Sequence, residues 1–214
     1  MAPVRRLARS RRRIRPPFGS VRITNYVTVV SCLILAATTL YVLVRPPLSP
    51  AGGQTIGGRT STPWGPLDDN DRLLLVKVRQ AGLWEMPTGR QAQQRAKSEA
   101  VKEAGRHIAE EHGVLDEDVR AVAGRLGVVL PSRPSALQQG WMAELSTKSG
   151  DDYDRTFVNR LRAAHGKVFA TIAQIRATTR NSMIREFAQR AMAVVLRHMG
   201  YLESTGLVDY SALG

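Results

Sequence analysis

Glu85, His112, His165 and His198 are the residues of this chain whose types could do chemistry together. One carboxylate and three imidazoles make a donor set for iron, zinc or manganese if a fold brings them to one point. They stand far apart in sequence, so each must be delivered by a different element. A carboxylate-bridged pair of metal ions in a helical bundle uses a Glu-x-x-His pair on each of two helices. Here Glu111 adjoins His112, and no Glu stands three before His165 or His198. Neighbours on a helix point about 100° apart and do not converge as an i, i+3 pair does. The plainer reading therefore makes the four half-buried polar contacts that keep helices in register, with no cofactor; a metal site is the alternative. His107, one turn before Glu111, is expected to pair with it on the surface.

Other chemistry-bearing patterns are absent from the sequence. There is no glycine-rich phosphate loop, no nucleophile elbow and no His-Glu-x-x-His, so no catalytic residue is assigned. Asp151, Asp152 and Asp154 lack the ligand spacing and later Glu of a calcium loop and read as helix-capping carboxylates. The single cysteine, Cys32, excludes an internal disulfide framework and lies in an apolar run.

Helical periodicity dominates from Asp68 onward, and it supplies elements able to position the four. Asp68, Asp69 and Asp71 crowd a first turn ahead of Leu74, Val78, Ala81 and Glu85, spaced four, three and four apart. Pro87 should kink or interrupt this helix near Met86, and Gly89 should loosen it further. Ser98 is placed to cap a second helix with Val101, Ala104, Ile108, Leu115, Val119, Val122 and Leu126 on one face, stopped by Gly127. After a loop at Pro131 to Pro134, a short helix over 136–145 carries Leu137, Trp141 and Leu145. Asp151, with Asp154 three residues on, opens a third long helix bearing Phe157, Leu161, Ala164, Val168, Ile172 and Ile175. Asn181 caps a fourth with Ile184, Phe187, Ala191, Val194, Val195, His198 and Leu202. Hairpin turns near Lys97 and Arg180 bring Glu85 to about one turn from His112, and His165 to about one turn from His198. The pattern predicts an all-α, ferritin-like four-helix bundle: two helical hairpins joined by a crossover that contains a short helix.

The N-terminal third has a different composition. Of the formal net charge of +13 on 214 residues, ten positive charges are arginines within residues 1–60, which hold no acid, so the remainder carries only +3. That balance argues against a nucleic-acid-binding domain. Ile23 to Val44 is uncharged, and its 22 residues reach about 33 Å as a helix, enough to span a bilayer. Eight arginines precede it, which places the N-terminus in the cytoplasm and the rest outside. The expected plan is a basic leader (1–22), a transmembrane anchor (23–44), a linker rich in Pro and Gly (45–66), the bundle (67–206) and a short tail (207–214). The alternative for residues 1–44 is a signal peptide, giving a secreted domain.

Several phrases resemble a bacterial exported family, domain of unknown function 4142. They are Leu73-Leu74 with Gly82-Leu83-Trp84-Glu85-Met86, Arg106 to His112, Leu126 to Pro131, and Tyr153 to Val158 extending through His165. The likeness runs roughly from Asp68 to Leu207 and implies a ferritin-like fold and an outer-membrane or secreted location, with no established activity. The expected function is a membrane-anchored envelope module, non-catalytic, that binds a protein partner or, through the arginine-rich last two helices, an anionic surface ligand. Its alternative is a ferritin-like metal-binding or redox protein using the Glu and His residues.

Overall fold

The computed structural model describes residues 55–56 and 58–213. The leader and the expected anchor at 23–44 lie outside the described residues; among those described, no helix is long and apolar enough to cross a membrane. Four long helices and one short one make up the domain: α1 (Asp69–Arg95), α2 (Glu99–Leu126), α3 (Ala136–Ser146), α4 (Gly150–Thr178) and α5 (Ser182–Ser204). A two-stranded ribbon of β1 (Thr55–Ile56) and β2 (Arg59–Thr60) precedes them, and a 3-10 turn at Tyr210–Ala212 follows.

Local chemistry sets the helix ends. Asp68 and Asp71 form a reciprocal capping box, the Asp71 N–H donating to Asp68 Oδ1 (3.0 Å) and the Asp68 N–H to Asp71 Oδ2 (3.1 Å). Ser135 and Gln138 do the same for α3. Asn181 Oδ1 accepts from Ile184 N–H at the start of α5, and Gly127 closes α2 in the left-handed conformation at φ 65°.

Three sequence expectations are corrected here. First, Pro87 does not interrupt α1, which continues to Arg95. The ring is exposed, while Trp84, Glu85, Thr88, Gly89 and Ala92 around it are buried and hold the helix against its neighbours. Second, Gly89 is a contact and no loosening: a Cβ there would fall on the Gly105 carbonyl oxygen, and one on Gly105 would lie 2.8 Å from Ala92 Cβ. The two glycines let the α1 and α2 backbones touch. Third, Asp154 does not cap its own helix. α4 begins at Gly150 after Ser149, and Ser98 makes no side-chain cap for α2. The buried Asp154 carboxylate instead accepts the N–H groups of Lys97 (3.1 Å) and Ser98 (2.8 Å), capping α2 from across the bundle.

The hairpins α1–α2 and α4–α5 pack so that α1 also touches α4, and α2 also touches α5. Asp154 at the start of α4 meets the α1–α2 turn, and the pairs Asp118–Arg190 and Glu111–Arg197 align α2 against α5 in opposite directions. Thus α1 and α5 run one way and α2 and α4 the other. Because α2 and α4 are parallel, the chain from Gly127 to Ser149 must travel the length of the bundle, and α3 lies on that path against α1 and α4. Leu145 of α3 is buried and Trp141 packs on Trp84 at 5.2 Å, whereas Leu137 stays 65% exposed.

The segment before α1 is bound to the bundle as a strap. Thr60 and Leu67 exchange backbone hydrogen bonds of 2.8 Å, Ser182 N–H donates to the Trp64 carbonyl, and the Asn181 amide donates to the Gly65 carbonyl. Leu67 is fully buried and Trp64 packs beside it. Two apolar clusters fill the interior. One gathers Leu74, Val78, Leu115, Val119, Ile172 and Phe187; the other gathers Trp84, Ile108, Tyr153, Phe157, Leu161 and Leu202.

Candidate metal centre

Along every long helix the two clusters are separated at one level. On α1 that level holds Glu85, on α2 His112, on α4 His165 and on α5 His198. All four are buried, with at most 2% exposure, and form a polar layer where the two apolar clusters meet. Their helices deliver them there for the ordinary reason that each sits on its apolar stripe.

The layer is tightly drawn. Glu85 Oε2 lies 2.7 Å from His112 Nε2 and 3.1 Å from His165 Nε2, and His165 Nε2 lies 3.1 Å from His198 Nδ1. One ligand atom from each of the four falls within 4.8 Å of all the others. Ligand atoms held about 2.1 Å from a tetrahedral ion stand about 3.4 Å apart, so to admit one the closest pair, at 2.7 Å, would open by about 0.7 Å and the widest would draw in by up to about 1.4 Å.

Tautomers follow from the partners. His165 Nδ1 lies 2.8 Å from the Leu161 carbonyl, which can only accept, so this nitrogen carries the proton and Nε2 presents a lone pair to the layer. Burial holds both the His165 and the His198 rings below the ordinary imidazole value, which leaves them neutral near pH 7. Burial works to raise the Glu85 carboxyl, but the neighbouring His165 and His112 outweigh it and hold the group below its usual value, in the ionised state. Glu85 Oε2 lies 3.1 Å from the His165 nitrogen that faces the layer. His112 Nδ1 and His198 Nε2 are buried without any hydrogen-bond partner. Glu111 Oε2 comes within 3.6 Å of His198 Nε2, beyond hydrogen-bond range, while the Glu111 carboxylate binds Arg197 (2.7 Å) and Tyr201 (3.0 Å).

The structure thus brings together all four residues named from the sequence and makes them fully buried where half-burial was expected. His107 is a correction. It pairs with Glu103 at 3.0 Å and stacks on Tyr201 at 4.7 Å, because Glu111 is already taken by α5. The Leu161 carbonyl is a participant sequence reasoning missed; its place one turn before His165 was the available signal. The arginines of the last two long helices are largely matched: Arg160 to Glu144, Arg162 to Glu203, Arg190 to Asp118 and Arg197 to Glu111.

The protein is, in class, a four-helix bundle with a short crossover helix and a buried layer of one carboxylate and three imidazoles. More narrowly, its residues 59–204 match the family model described as Domain of unknown function (DUF4142), and the chain belongs to that family. No curated protein and no solved structure matches it.

Proposed function

We propose that the bundle binds one transition-metal ion through Glu85, His112, His165 and His198. The observation that carries this reading is the convergence of four ligand atoms, one from each long helix, within 4.8 Å in a buried layer. An isolated carboxylate in the core costs several kcal/mol unless a cation accompanies it. A metal ion would supply that charge and accept the lone pairs now facing one another. With one carboxylate the site is mononuclear, and three imidazoles favour zinc or iron ahead of manganese. The direction of the helices, with a single long crossover, supports a ferritin-like fold, in which inward-facing side chains build metal sites.

The N-terminal sequence supports an exported, membrane-tethered setting for this bundle. An uncharged run at 23–44 after eight arginines would hold the domain on the outer side of the cytoplasmic membrane, with the bilayer as its partner. Melting the protein with and without a chelator, alongside elemental analysis, tests the metal reading. A metal content near one per chain and a lower melting temperature after chelation are expected; no metal and no chelator effect would leave the layer as a register-keeping hydrogen-bond network.

A second reading, an envelope interaction module, has one favouring observation. A shallow apolar hollow of about 300 Å³ between α2 and α5 is lined by Val114, which is 71% exposed, with Leu115 and Val194, and is flanked by the Asp118–Arg190 and Glu111–Arg197 pairs. Changing Val114 to Glu should release any partner recovered by cross-linking in cells, and an unchanged cross-linking pattern would remove this surface from consideration.

A further inference from the structure

Glu111 stands beside a layer residue in the chain and takes no place in the layer itself. Neighbours on a helix point about 100° apart, so α2 turns His112 into the layer and Glu111 toward α5. There Arg197 donates to Glu111 Oε2 through Nη2 (2.7 Å) and Nε (3.1 Å), and the Tyr201 hydroxyl donates to Oε1 (3.0 Å). The same Oε2 lies 3.6 Å from His198 Nε2. That nitrogen is buried with no hydrogen-bond partner, while the other nitrogen of the ring, Nδ1, reaches into the layer, 3.1 Å from His165 Nε2. The His198 ring therefore stands between the layer on one side and Glu111 on the other.

The position of one proton decides what the ring can do on each side. A neutral imidazole carries it on a single nitrogen. His165 Nε2 can only accept, since the proton of that ring is held on Nδ1 by the Leu161 carbonyl, so without metal His198 keeps its proton on Nδ1 and donates to His165. His198 Nε2 is then without a proton, and it makes no hydrogen bond with the carboxylate 3.6 Å away. Resting on the metal-binding reading above, we propose that Glu111 is the outer partner of His198, accepting a hydrogen bond from Nε2–H when a metal ion holds Nδ1. The ion takes the Nδ1 lone pair, so the proton leaves Nδ1 for water and one returns to Nε2; the ring stays neutral, with no net gain or loss. A closure of about 0.6 Å then makes the bond from Nε2–H to Oε2. Such a bond fixes the tautomer and orientation of a ligating ring and raises the basicity of its other nitrogen. Glu111 is thus a positioning residue, acting on the metal through His198. Its place immediately before His112, which makes no Glu-x-x-His pair, suits this role, because the 100° offset carries the carboxylate past the layer to the far side of the His198 ring.

The test uses the full chain in detergent, with its histidines labelled with nitrogen-15 and followed by NMR before and after zinc loading; His198 is assigned by the signals lost in His198→Gln. Metal-free protein should show the His198 proton on Nδ1, and zinc-loaded protein should show it on Nε2. Glu111→Gln replaces the charged acceptor by a neutral one and should weaken zinc by about 10-fold or more, read by competition with a chromogenic chelator. Arg197→Gln removes the ion pair between α2 and α5 but leaves the acceptor, so it should bind zinc nearly as the parent does. Zinc-loaded protein that keeps the His198 proton on Nδ1, or a Glu111→Gln variant that binds zinc as the parent does, would overturn this role and leave the metal reading standing. Equal losses in Glu111→Gln and Arg197→Gln would make Glu111 a clamp between helices and would overturn it as well. If Glu111→Gln fails to fold, the His198 tautomer in the zinc-loaded parent decides. A parent chain that takes up no zinc would overturn the metal reading and this proposal together.

Discussion

Glu85 is the residue on which the chemistry turns, because its carboxylate meets a donor from His112 and a lone pair from His165 at once. Glu85→Gln makes that distinction measurable. Both imidazoles meet the one oxygen Oε2, so the amide group set there either accepts from His112 or donates to His165 Nε2, while its neutrality removes the cost of a buried carboxylate; in metal-free protein the variant should be as stable as the parent or more so. Were the layer a structural ion pair, the same change would cost about 3 to 5 kcal/mol. Urea unfolding of both proteins in chelator separates the two outcomes. In the parent, metal at 100 times its Kd should add about 2.7 kcal/mol, a rise of roughly 5 to 10 °C for a chain of this size. His165→Ala should abolish that rise, as followed by calorimetry. The four ligand candidates were legible in the sequence because each interrupts an apolar stripe. Their convergence was not, since offsets of about one turn between helices permit a layer without requiring it, and the level is fixed by cross-bundle contacts such as Asp154 with Lys97 and Ser98.

Helices α1 and α2 are locked by contacts that periodicity does not carry. Gly89 and Gly105 meet backbone to backbone, so Gly89→Ala should destabilise the protein by about 1 to 3 kcal/mol through overpacking. Gly200 of α5 is exposed, and nothing lies within 4 Å of the place a Cβ would take. It should respond with the opposite sign, gaining up to about 1 kcal/mol as Gly200→Ala. Chemical denaturation of the two variants checks both signs, and equal effects would remove the close-approach explanation. Asp154→Ala should cost about 1 to 2 kcal/mol and speed amide exchange at Lys97 and Ser98, with α4 itself unaffected at its start. Stripes, the Asn181 cap and the Gly127 stop were readable because they are local. The roles of Pro87, Gly89 and Asp154 were not, because each depends on its surroundings in the bundle: exposure of a ring, proximity of a backbone, and two amides in the α1–α2 turn.

At the scale of the whole molecule, one polar layer between two apolar clusters organises a bundle in which the parallel pair α2 and α4 forces a long crossover. The crossover helix covers a groove between α1 and α4 that Glu85 helps to line. The number of helices and the place of the crossover followed from the sequence; the strap from Thr60 to Leu67 did not, because proline and glycine content marks a linker without telling whether it packs. For the proposed membrane tether, alkaline phosphatase fused after Gly214 should be active and a fluorescent protein that matures only in the cytoplasm should stay dark; the reverse pattern would invert the orientation. Equilibrium dialysis of the purified chain against zinc tests the metal centre most directly. Saturation at one ion per chain is expected, lost when Glu85, His112, His165 and His198 are all replaced by alanine. Binding that is absent, or equally strong in the fourfold variant, would contradict a metal centre in this layer.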